Sequence, residues 1–83
     1  MTKTINREVE INAFTFSTKK GFQSIPQIIT VDNHRYSFVD SGLRYLVQQG
    51  HHLIRLFDMT DGKSTFRLRN EDDHWTLVSI KTA

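Results

Sequence analysis

A chain of 83 residues has room for one hydrophobic core and no second. Eleven basic residues against nine acidic ones leave a formal charge of +2, too near balance for charge alone to mark a nucleic-acid binder. The absence of cysteine excludes a disulfide framework and any thiolate metal site, and suits a reducing compartment.

The first residues, Met-Thr-Lys-Thr-Ile-Asn-Arg, lack the apolar run of a secretion signal. No stretch approaches the ~20 apolar residues of a spanning helix. A soluble, cytoplasmic domain over residues 1–83 is therefore expected, with residues 1–5 disordered. Residues 7–16 alternate well enough for a first strand. Val9, Ile11 and Ala13 share one side, Phe14 and Phe16 the other, so a bulge or bend falls near residue 13. The polar run at 17–24 reads as a mobile loop. Pro26 fits near a strand start or on an edge.

Ile28 to Val31 and Arg35 to Val39 form a second pair around Asp32-Asn33, two residues that tolerate positive φ in a tight turn. This register sets Ile29 opposite Tyr36, with Val31 and Phe38 on the same face. Residues 40–50 fit two descriptions. Asp40 or Ser41 could cap a helix near 41–49 that ends at Gly50. Tyr45 and Val47 favour a strand instead, and the strand-like surroundings tip the reading to an extended segment.

The last third carries the strongest hairpin signal, Asp61-Gly62 between two strand-like runs. A three-residue loop 60–62 pairs Leu56 with Phe66 and Ile54 with Leu68, and sets Arg55 opposite Arg67. A two-residue loop would put Phe57 opposite Phe66 and split the arginines between faces. The first register is preferred because its apolar pairs all face one way. A following turn at Glu71-Asp72 pairs Leu68 with Trp75 and Phe66 with Leu77. One face then holds Ile54, Leu56, Phe66, Leu68, Trp75 and Leu77, the alternation of a half-buried sheet. The other holds Arg55, Phe57, Arg67, Arg69, His74, Thr76 and Val78.

That second face has two readings. Long arginine stems cover solvated strands and pair with neighbouring acids. Alternatively, Arg55, Arg67, Arg69, Phe57 and His74 hold an anionic partner, such as single-stranded nucleic acid stacked on Phe57 or an acidic protein. Catalysis has no footing, for there is no cysteine nucleophile, no GxSxG and no phosphate-cradling glycine loop. No metal and no cofactor are expected: His51 and His52 point to opposite faces of a strand, and no HxH or HxxxH spacing occurs.

The order Ile25-Pro-Gln-Ile-Ile, Tyr36, Phe38-Val-Asp-Ser-Gly-Leu-Arg44, Leu56-Phe-Asp-Met-Thr-Asp-Gly62, Phe66-Arg-Leu and Trp75-Thr-Leu-Val resembles a group of small uncharacterised bacterial proteins. It covers roughly residues 25–80. The resemblance implies a compact bacterial domain, with no activity or site residue attached. The whole reads as an all-β antiparallel meander of five to seven strands, in a strongly bent sheet or small barrel that removes exposed edges. The expected role is a non-enzymatic binding module on the basic face. The alternative is protein interaction or self-association through a sheet edge or exposed Phe57, Met59 and Val78. The sequence leaves the oligomeric state open.

Overall fold

The computed structural model describes residues 1–17 and 23–82, and the architecture is all-β and antiparallel. Eight strands occur among them: β1 (Thr2–Glu8), β2 (Glu10–Ser17), β3 (Gln23–Val31), β4 (His34–Ser37), β5 (Asp40–Gln49), β6 (His52–Thr60), β7 (Ser64–Glu71) and β8 (His74–Thr82). They form a five-stranded sheet in the order β1-β8-β7-β6-β5 and a three-stranded sheet in the order β2-β3-β4. The strand count thus exceeds the five to seven expected, because two long extended stretches each cross from one sheet to the other. The first crosses at Val9, whose N–H donates to the Trp75 carbonyl at 2.9 Å. The second crosses at Phe38-Val39, where the Val39 N–H reaches the Thr60 carbonyl at 2.8 Å. The sheets meet at these corners without a continuous ladder, so the sheet is not closed into a barrel.

At the level of elements, the N-terminal expectation needs correction. Thr2 to Ile5, read as disordered, lie in β1 and pair with the far end of β8, Thr2 opposite Lys81. An extra residue enters β1 between Thr4 and Arg7, where Asn6 takes φ 52°, a conformation that asparagine tolerates. Residues 41–49 are strand throughout, in keeping with the preferred extended reading, and the alternative helix near 41–49 does not form. The loop expected over 17–24 falls mostly outside the described residues; Ser17 and Gln23 pair at the ends of β2 and β3.

Other readings match the structure. Asp32 and Asn33 turn with φ 49° and 65°, and Ile29 lies opposite Tyr36. The register of β2 against β3 shifts around Ala13, where the side preference of the apolar residues reverses. Pro26 is the fourth residue of the central strand β3, which looks improper until the neighbours are counted. Strand β4 stops at Ser37 opposite Ile28, so Pro26 has a ladder partner on one side only.

The core lies between the two sheets. Ile25, Ile29, Val31 and Phe38 from one side meet Phe57, Met59, Phe66, Leu68 and Leu77 from the other, with Val9 buried at the corner. Phe66 joins the layers, its ring centre 5.0 Å from that of Tyr36 and 5.2 Å from that of Phe38. Such tilted contacts add about 0.5–1.5 kcal/mol each beyond the area they bury.

Candidate functional site

The β6–β7 hairpin decides which side chains share a surface, and its register differs from the one expected. Thr60 pairs with Thr65, Met59 with Phe66, Asp58 with Arg67, Phe57 with Leu68 and Arg55 with Asn70. The cause is the loop. The Asp61 carboxylate accepts the backbone N–H groups of Lys63 at 2.9 Å and Ser64 at 2.8 Å, and Gly62 takes φ 99°. These bonds stabilise a longer connection than a three-residue count allows, and the extra residue reverses the parity of β6.

The consequences for the candidate residues follow strand by strand. Phe57 is buried in the core and offers no exposed stacking platform. Arg55 lies on the core-facing side of β6, exposed beyond the edge of the core, and shares no face with Arg67 and Arg69. Met59, also expected to be exposed, is buried. Arg67, Arg69 and His74 do share the outer face. There Leu56 pairs with Arg69, Arg69 with Thr76 and Glu71 with His74 across an Asp72-Asp73 turn, one residue later than expected. Strand β8 carries an extra residue, Val78, between its partners for Arg67 and Leu68, which sets Leu68 opposite Leu77.

Arg67 and Arg69 of this outer face each bond a carboxylate, and the His52 and His74 imidazoles lie beside others. Arg67 grips Asp58 with two hydrogen bonds, Nε to Oδ1 at 2.8 Å and Nη2 to Oδ2 at 3.0 Å, and stacks 5.5 Å from the centre of the Tyr45 ring. The hydrogen bond to Asp58 holds the Arg67 guanidinium above its ordinary pKa. Arg69 donates to Glu71 Oε2 at 2.6 Å. His52 Nδ1 lies 3.6 Å from Glu71 Oε1 and 3.8 Å from Asp72 Oδ2, and His74 Nδ1 lies 3.7 Å from Glu8 Oε1. With both arginines taken up by acids, they do not present an open basic patch.

Two features were missed by reading the sequence. The first is the grouping of His52, Glu71 and Asp72, whose side-chain donor atoms all lie within 4.8 Å of one another. No spacing rule finds it, because the tip of the β5–β6 hairpin meets the β7–β8 turn only through the observed register. The second is the position of β5, which among the described residues ends the five-stranded sheet. Around it stand Leu46, 68% exposed, with Tyr45, Val47 and Leu53 also exposed. The run Tyr45-Leu46-Val47 was visible as a strand candidate, but its position at a sheet edge was not.

Among the described residues no helix is long and apolar enough to cross a membrane. Comparison with protein-family models, curated proteins and solved structures found no match to this chain.

Proposed function

We propose that the protein is a self-association module in which two copies join through their β5 strands. The observation that supports this reading is the contrast between β5 and the other edges. Natural edges are blunted by charge, bulges or brevity, because a free row of N–H and C=O groups is a template for another strand. Strand β1 carries Lys3, Arg7 and Glu8 and is kinked at Asn6. Strand β2 has two register shifts, and β4 is only four residues long. Strand β5 spans ten residues, and its single irregularity lies between Ser41 and Arg44. From Arg44 to Gln49 it runs in regular register and is rich in exposed apolar side chains.

A twofold antiparallel pairing centred on Leu46 sets Tyr45 against Val47 of the second copy and Arg44 against Gln48. No like charges meet, and each edge is consumed once, so the assembly closes at two. About six residues, or roughly 20 Å of strand, would join on each side. An interface this small belongs to the weak class, with affinity in the micromolar range.

Sedimentation velocity between 5 and 500 µM tests the proposal. A reversible monomer–dimer equilibrium is expected, and Leu46→Lys should weaken it at least tenfold while leaving the melting temperature nearly unchanged. A monomer at every concentration, open-ended growth, or a dimer indifferent to Leu46→Lys would each sink it. The basic-face reading has lost its geometric support, since Phe57 is buried, Arg55 lies on another face, and Arg67 and Arg69 are occupied by acids.

A further inference from the structure

We infer that His52, Glu71 and Asp72 form a binding site for a zinc-type divalent cation. One imidazole and two carboxylates come from separate positions, His52 from the start of β6 and the acids from the end of β7 and its turn. The Nδ1 atom of His52 lies 3.6 Å from Glu71 Oε1 and 3.8 Å from Asp72 Oδ2. Donors about 2.0–2.1 Å from a tetrahedral ion lie roughly 3.4 Å from one another; the two distances from His52 are within a few tenths of an ångström of that, and all three donor atoms lie within 4.8 Å of one another.

The charge distribution favours a cation over the alternatives. Glu71 and Asp72 bring two carboxylates to the one imidazole, against the single Arg69 guanidinium bonded to Glu71. Arg69 engages Glu71 through Oε2 at 2.6 Å and leaves Oε1 turned towards His52. A ligating carboxylate is ordinarily oriented by an outer hydrogen bond of this kind. His74 is held off by Glu8, while His51 follows Gly50 in the turn that ends β5. The donor set of nitrogen and oxygen without sulfur suits zinc, cobalt or nickel, and is poorly matched to magnesium, which prefers oxygen alone. Three protein ligands leave a fourth position open to water. The site lies on the outer face of the sheet and does not depend on pairing through β5.

Calorimetric titration of zinc chloride into protein stripped with chelator and dialysed provides the test. One zinc per chain is expected, with micromolar affinity. His52→Ala and Glu71→Gln should each weaken it at least tenfold, whereas His51→Ala should leave it unchanged. Circular dichroism verifies that each variant is folded. An unfolded Glu71→Gln chain would leave the His52→Ala and His51→Ala comparison to decide. The inference is overturned if zinc binding is absent, if it survives His52→Ala, if it is lost with His51→Ala, or if magnesium binds as tightly.

Discussion

Arg67 and Phe57 show how much turns on a single step of strand parity. Both were legible as strand residues, but the sequence pattern left their faces open to two registers, and the preference for uniform apolar pairs selected the other one. The residues that reveal the correct face are Met59 and Asp58. With Met59 opposite Phe66, two large apolar groups are buried together, and with Asp58 opposite Arg67 a cross-strand charge pair forms on the outside. Phe57→Ala should therefore cost about 3–5 kcal/mol in urea denaturation, as expected for a core aromatic. Arg67→Glu, harmless in the register read from sequence, now sets a carboxylate against Asp58 and should cost about 1–2 kcal/mol. A neutral Phe57→Ala would mean that the hairpin is misregistered.

Among the elements, the tight turns were the most legible and the long loop the least. Asp32-Asn33 announces itself because both residues accept positive φ, whereas Asp61-Gly62 carries the same signal and makes a different connection. The difference lies in the Asp61 carboxylate, which bonds forward to Lys63 and Ser64 and is held below its ordinary pKa by those two backbone donors. Asp61→Ala should destabilise the fold by about 1 kcal/mol at neutral pH. A carboxyl with a lowered folded-state pKa contributes stability above its unfolded value near 3.8, and the contribution fades as pH falls through the lowered value. The gap between wild type and Asp61→Ala, measured by denaturation from pH 7 down to pH 2, should accordingly narrow below pH 4. A gap constant with pH would mean that the carboxylate charge does not hold the loop.

For the whole molecule, the all-β antiparallel class was readable from alternation and turn chemistry, both of which are local. The division into two sheets was not. It rests on Val9 and Phe38-Val39, where the chain stays extended while changing layers, and nothing in a period-two pattern marks such a corner. The pairing of β1 with β8 was equally hidden, because it joins residues about seventy to eighty positions apart. That pairing brings the Met1 amino group within 3.2 Å of the Thr82 carbonyl. The chain is thus nearly a ring, and where the ring is cut becomes a matter of choice. Met1 and Ala83 could be fused through a short glycine linker and new ends opened between Gly50 and His51, where the exposed turn closes β5 on β6. Such a circular permutant should reproduce the wild-type circular dichroism spectrum. An unfolded product would show that the order of synthesis, and not the final set of strand pairs, is what builds this fold.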